Sequence, residues 1–451
     1  MNKIIYILII GSLILGCAKE EAIPVITDFN IDVFNEDFSV PVQVVVINKT
    51  EGADEYQWEF EGGVPSSSVK RNPGIIQYET PGQYAIILTA RNIDGSTDKK
   101  TIDIQIDMPV VIDFKVTPTV DNFTPARYHI DNNSTGANSF LWSFEGGIPA
   151  TSSEQNPAEV EFFEPGEHTI KLEISNGRET YDLEHIITVA PYLVSGFTSE
   201  VAFDDDDFQA PVRMQFTNTS VSATSYAWDF QGATPSTSTA VDPEITFTEA
   251  GIHTVTLTAT NGKEIKSYST QIEVVENTNL RTYTDIALGI NTAHLSNATG
   301  SMYNFIDRKV YTTEELTATI EEQIDLVFFG LNNRFERNRF VSPDALEGET
   351  TFLPFTTPKK TIFINSQELC GCTASLSANQ FDTMNTDALL ASMNITETSG
   401  GVQDFDKTIH PRIVLFQTQE GKKGAIKVKQ FVEDGQNSYI LIDIKIQKEA
   451  R

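Results

Sequence analysis

Apolar and polar side chains alternate in short runs along most of this chain, and three of the runs carry the same phrase. They are Tyr56-Gln57-Trp58-Glu59-Phe60, Phe140-Leu141-Trp142-Ser143-Phe144 and Tyr226-Ala227-Trp228-Asp229-Phe230. Aromatic side chains two apart project to one side of an extended backbone, so each phrase predicts a strand with one buried face. Gly and Pro end each run, in Gly62-Gly63-Val64-Pro65, Gly146-Gly147-Ile148-Pro149 and Gly232-Ala233-Thr234-Pro235. Farther on, Thr80-Pro81-Gly82, Glu164-Pro165-Gly166 and Glu249-Ala250-Gly251 feed alternating strands at Ala85–Ala90, Thr169–Ile174 and Thr254–Ala259. Asn92, Asn176 and Asn261 follow them. The tryptophans lie 84 and 86 residues apart, so one unit occurs three times. Short alternating strands between turn residues, without helical periodicity, predict antiparallel β-sandwiches.

The Trp-x-Phe strand, the Pro-Gly turn and the closing Asn resemble the PKD domain, an Ig-like β-sandwich of cell-surface proteins. The resemblance covers residues 25–107, 109–189 and 193–275. One loop departs from it: PKD modules often carry Gly-Asp-Gly after this strand, where the chain has Gly-Gly-x-Pro or Gly-Ala-Thr-Pro. Residues 277–451 lack tryptophan and do not repeat the phrase. There, Thr312-x-x-Glu315 with Leu316 and Ile320 predicts one helix, and Ser377-x-x-Gln380 with Phe381, Met384, Leu389 and Met393 a second. Strands are predicted at Ile324–Phe329, Thr361–Ile364, Ile413–Thr418, Ala425–Phe431 and Tyr439–Ile446, the last three joined as a meander. The expected fold class is mainly β: three tandem PKD/Ig-like β-sandwiches followed by a separate β-rich α+β C-terminal domain. A fourth sandwich with two short helices is the other reading of that domain.

At the N-terminus, Lys3 precedes the apolar stretch Ile4–Leu15, which is too short to span a bilayer comfortably and has the character of a cleaved leader. Leu13-Ile14-Leu15-Gly16-Cys17 resembles the lipobox of bacterial lipoproteins. That implies removal of residues 1–16, a lipid on Cys17 and a tether over 17–24. Ala18-Lys19-Glu20-Glu21 is similar to the surface-export signal of Bacteroidota lipoproteins. The implied location is the outer membrane, exposed at the cell surface and held by the lipid alone. An ordinary secretory leader that ends in cysteine is the alternative.

Charge narrows the partners. The 451 residues hold 63 Asp and Glu against 32 Lys and Arg, a formal charge of −31, which argues against nucleic acid or an anionic lipid face as a ligand along the chain. Three cysteines exclude a zinc-finger array or a disulfide scaffold. No His-Glu-x-x-His, Gly-x-Ser-x-Gly or Gly-x-x-x-x-Gly-Lys motif occurs, so a protein without enzymatic activity or cofactor is expected. His168 and His253 fall in register with Tyr84, which makes them structural residues of a strand.

Residues 280–451 hold 22 acidic and 17 basic residues, so most of the negative charge belongs to the repeats. Phe203-Asp204-Asp205-Asp206-Asp207-Phe208 matches Asn35-Glu36-Asp37 and Asp121-Asn122 of the other repeats. It reads as a solvated acidic loop, or as a structural Ca²⁺ site of Asp204, Asp205, Asp206 and Asp207 that would stiffen the junction of modules two and three. Cys370-Gly371-Cys372 reads as structural thiols or a tight disulfide, or as a metal or redox pair. Arg334, Arg337 and Arg339, interleaved with Phe335 and Phe340, and Lys427 and Lys429 form either a solvated face or a site for acidic or hydroxyl-rich ligands. The layout resembles the surface glycan-binding lipoproteins of Bacteroidota. The resemblance implies an acidic stalk presenting a C-terminal domain that captures extracellular carbohydrate, although tryptophan, which sugar sites favour, is missing from that domain. The alternative is an adhesin or structural protein that binds a protein partner through the repeats.

Overall fold

A computed structural model describes residues 23–451; the leader, Cys17 and most of the tether lie outside the described residues. The chain is mainly β. It divides into two compact units. One is built on residues up to Val194 with 221–224 and 261–264, the other on 195–220, 225–260 and 265–451.

Each repeat is a sandwich of two four-stranded antiparallel sheets. In the first repeat, one sheet runs Phe29–Val33, Val42–Asn48, Ile75–Tyr78, Gly63–Val64 in spatial order. The other runs Ser67–Ser68, Glu55–Phe60, Gly82–Arg91, Thr97–Ile106. The second and third repeats have the same order. The loop that departs from the PKD pattern is the sheet-to-sheet crossing: Gly63–Val64 pairs with Gln77 and Tyr78 in the first sheet, while Ser67–Ser68 pairs with Trp58 and Glu59 in the second. Pro65, Pro149 and Pro235, all preceded by cis bonds, sit at this crossing.

The tryptophans are the centre of each core. Trp58, Trp142 and Trp228 are buried, and each meets a Phe of the opposite sheet at 5.0–5.1 Å between ring centroids: Phe29, Phe114 or Phe197. Each indole N–H donates to a backbone carbonyl twelve residues on, at Lys70 (3.0 Å), Glu154 (3.0 Å) or Ala240 (2.9 Å). At ~25 cal/mol per Å² and ~200 Å² of ring, each burial contributes about 5 kcal/mol before conformational entropy is counted.

His168 and His253 occupy the place of Tyr84, under the glycine that follows each Trp strand. A Cβ on Gly146 or Gly232 would come within 2.7 or 2.4 Å of the imidazole Nδ1, and both glycines have positive φ. Both ring nitrogens of His168 face carbonyls, Glu145 O at 3.0 Å and Glu164 O at 2.8 Å; those of His253 face Gln231 O and Glu249 O at the same two distances. A neutral imidazole can donate to only one of its two carbonyls. Tyr84 instead donates its hydroxyl to Thr80 O.

The C-terminal domain holds a five-stranded sheet in the order Leu280–Gly289, Tyr439–Gln447, Lys423–Val432, Arg412–Gln417, Ile362–Ile364. A four-stranded sheet runs Lys309–Tyr311, Met302–Asn304, Leu326–Gly330, Asn338–Val341. Leu288, Tyr303, Phe328, Phe340, Phe416 and Ile442 belong to the core packed between them. The expected meander is present. The first strand, Leu280–Gly289, is absent from the sequence reading because a bulge between Tyr283 and Ile286, with Asp285 at positive φ, breaks its alternation.

The helices are shorter than the sequence suggests. Both capping boxes form, but the one at Thr312 opens a single 3-10 turn, Thr313–Glu315, and a separate Ala318–Glu321 helix starts at Thr317. The box at Ser377 opens Ala378–Thr383. The chain leaves the helix at Met384, where Asn385-Thr386-Asp387 favour turns, and resumes as Ala388–Ala391.

Candidate functional site

The acidic run joins the third sandwich to the C-terminal domain, not modules two and three, and its partners are cations. Arg281, with a side chain only 9% exposed, reaches Asp206 at 2.7 Å, Asp207 at 3.0 Å and the Asp204 carbonyl. Arg308 bonds Asp206 and Phe203 O and lies 4.0 Å above the Phe203 ring. Lys448 reaches Asp207 at 3.1 Å, and Arg213 reaches Asp205 at 3.2 Å. Beside them the buried Gln209 amide donates to Leu280 O and accepts from the Thr278 N–H and hydroxyl, each at 2.8 Å. Cations therefore already pair with the carboxylates of Asp205, Asp206 and Asp207. Among the described residues no three His, Cys, Asp or Glu side chains gather as metal ligands.

The matching loops of the first unit use the same chemistry. Arg178 donates to Gln105 O and Asp107 and lies 3.9 Å above Phe38, and Lys263 Nζ meets Asp121 at 2.8 Å and the carbonyls of Phe123 and Pro125. Both cations sit on hairpin turns that the closing Asn organises. Asn176 accepts from Arg178 N and Glu179 N, and Asn261 from Lys263 N and Glu264 N.

The five basic residues do not form one cationic face. Arg337 and Arg339 both pair with Asp404, at 2.6 and 3.5 Å, and Arg339 also bonds Glu349 O. Lys427 pairs with Asp382 at 2.6 Å, and Lys429 with Asp285 and Asp443 at 2.5 and 2.7 Å. Only Arg334, with a side chain 79% exposed, lacks a close partner, its nearest being Glu336 at 3.8 Å. The arginine strand lies in the four-stranded sheet and the lysine strand in the five-stranded one. A domain with more carboxylates than cations leaves few cations free. Cys370 and Cys372 are disulfide-bonded; so short a ring removes little chain entropy from the unfolded state.

A cleft of about 550 Å³ lies beside the acidic run, within the usual range for small-molecule sites of ~300–1,000 Å³. Asp325 and Lys359 lie at its base, 2.7 Å apart, with side chains 3% and 15% exposed. Burial pushes the Asp325 carboxyl up, and the charge of Lys359 only partly offsets it. Tyr283 and Phe305, stacked at 5.9 Å, form an aromatic wall; Arg308, Thr418, Glu420 and Lys422 line the rest. Burial also raises the Glu420 carboxyl, but its own N–H, Thr418, Lys359 and Lys422 together hold it below the usual carboxylate range.

Sequence reasoning missed this cleft, although Asp325 carries a signal: it is a lone charge within the apolar run Ile324–Phe329. Among the described residues, no helix is long and apolar enough to cross a membrane.

Comparison with solved structures gives distant likenesses. Protocadherin Gamma B2 extracellular cadherin domains 3-6 align over 55% of this chain and 72% of theirs, at 12% identity and a TM-score of 0.28. The structure on host cell surface retention of a 1.5-MDa bacterial ice-binding adhesin aligns over 56% and 98%, at 9% identity and a TM-score of 0.23. Protocadherin gammaB7 EC3-6 aligns over 90% and 94%, at 12% and 0.26. No curated protein matches the chain. Residues 205–274, in the third sandwich, match the family model of the PKD domain.

Proposed function

We propose that the protein is a non-catalytic lipoprotein of the outer membrane, exposed at the cell surface through a lipid on Cys17, that captures extracellular carbohydrate. The sandwiches carry the C-terminal domain, and that domain together with the third sandwich supplies the binding surface. The observation that carries this reading is the cleft. It brings hydrogen-bond donors and acceptors, the Asp325–Lys359 pair among them, together with the Tyr283–Phe305 wall. Sugar rings offer hydroxyls at their edges and C–H groups on their faces, and this lining has partners for both. Affinity electrophoresis of residues 23–451 through gels of neutral, uronic-acid and sulfated polysaccharide tests it. Retardation by at least one class is expected; unretarded migration of folded protein in every gel contradicts the proposal. A fragment cut at residue 277 is unsuited to this test, because Arg281 and Arg308 would lose their aspartates.

A second reading, an adhesin or structural protein that binds a protein partner, draws on a different observation. Thr97–Ile106, Thr180–Val189 and Ile265–Val274 are ten-residue strands at sheet edges, each paired on one side only. Such edges accept an added strand from another protein.

A further inference from the structure

Two groups in the cleft are unspent. Arg281, Arg308, Lys359, Lys427, Lys429 and Lys448 all hold carboxylates. Lys422, half-buried in the lining, has no carboxylate at ion-pairing distance among the described residues, though Glu420 is near enough to feel its charge. Thr418 Oγ1 is the second: the residue is 5% exposed and lines the same cleft, its hydroxyl turns toward the neighbouring Glu420 carboxylate, and its lone pairs meet no donor. Buried lone pairs left unmatched are costly, so their position in a cleft marks a place for a donor from outside. The cleft is also composite, since Arg213 of the third sandwich lines it together with Lys422 and Lys448 of the C-terminal domain.

Resting on the carbohydrate reading above, we propose that this cleft is the sugar site and that it selects a carboxylated sugar of the uronic-acid class. The sugar carboxylate pairs with Lys422, a ring hydroxyl meets Thr418, and a ring face lies on the Tyr283–Phe305 wall. Lys422 is the one lining cation that makes no ion pair among the described residues, which favours an acid group there. The Asp325–Lys359 pair then accepts from and donates to neighbouring hydroxyls without net charge.

Isothermal titration of residues 23–451 with trigalacturonate tests this, alongside Lys422→Gln, Thr418→Val and, as a control outside the cleft, Arg334→Gln. A charge-assisted bond is worth about tenfold to a hundredfold in affinity, so Lys422→Gln is expected to weaken binding by at least ~10-fold. Thr418→Val should weaken it several-fold, and Arg334→Gln should leave it unchanged. Circular dichroism melting of each variant verifies that the fold persists; neither Lys422 nor Arg334 makes a close ion pair. If the wild type binds trigalacturonate and Lys422→Gln binds it equally well, the site is elsewhere while the carbohydrate reading stands. Loss of binding in Arg334→Gln alone would move the site to the exposed 331–337 loop and overturn the assignment. Wild-type binding to neutral glycans but not to trigalacturonate overturns the acid-sugar class, and failure to bind any glycan overturns the carbohydrate reading with it.

Discussion

Replacing Arg281 with Met is the most searching perturbation of the joint between the third sandwich and the C-terminal domain. The side chain is 9% exposed and makes charged contacts to Asp206 and Asp207 and to the Asp204 carbonyl. Bonds to charged groups contribute ~1.5–3 kcal/mol each when sheltered. Asp206, at 49% exposure, is screened by water and keeps Arg308, so its share is well under ~1 kcal/mol, while Asp207 is 20% exposed and keeps Lys448. The expected loss is therefore about 2–3 kcal/mol. For a unit of this size a kcal/mol moves the melting temperature by ~2–4 °C, so a fall of about 4–12 °C is expected. Calorimetry of residues 23–451 should place the whole shift in the transition of the unit holding residues 265–451. A cycle with Asp206→Asn should return a coupling of about 0.5 kcal/mol. Equal shifts of all transitions, or a shift below about 1 °C, would refute the idea that these charges lock the joint.

Three further outcomes follow from the same contacts. Burial holds the His294 imidazole down at about 4. Because an unfolded histidine titrates near ~6.5, the unfolded chain takes up a proton between these values that the folded chain does not. The contribution is full above ~6.5 and is lost as pH falls toward 4; urea unfolding should show about 1–2 kcal/mol less stability at pH 5 than at pH 7, a loss that His294→Leu reduces. Lys359→Met strands the buried Asp325 carboxylate and should cost ~3 kcal/mol, with Asp325→Asn in the same chain recovering part of it; no recovery would mean the loss is packing alone. Trp142→Phe should cost ~2–3 kcal/mol by denaturant unfolding, because it removes ring volume and leaves Glu154 O unmatched; a loss under ~1 kcal/mol would show that the core collapses around the smaller ring.

The sandwiches were legible because one residue type, at a fixed place in a period-2 strand, marks each of them. Trp58, Trp142 and Trp228 lie on strands at Glu55–Phe60, Ser139–Phe144 and Ser225–Phe230, as the alternation predicts. The His168 and His253 registry with Tyr84 was legible for the same reason. Tertiary pairing was not. Asp204–Asp207 read as an open acidic loop because Arg281, Arg308 and Lys448 lie 74 or more positions away in sequence. The Arg337 and Lys427 clusters read as a solvated face or a binding face because sequence shows the cations and not Asp404 or Asp382, which meet them only in the fold. The cleft depends on Asp325, Lys359 and Thr418 from three separate strands or loops, and only the charge within an apolar run hinted at it.

The measurement that bears most directly on the account is a glycan-array comparison of residues 23–451 with the same chain carrying Lys422→Gln and Thr418→Val together. Binding to acidic polysaccharides by the unaltered protein, lost or greatly weakened in the double variant, is the predicted result. Equal binding by both, or binding by neither protein, would contradict carbohydrate capture by the C-terminal half.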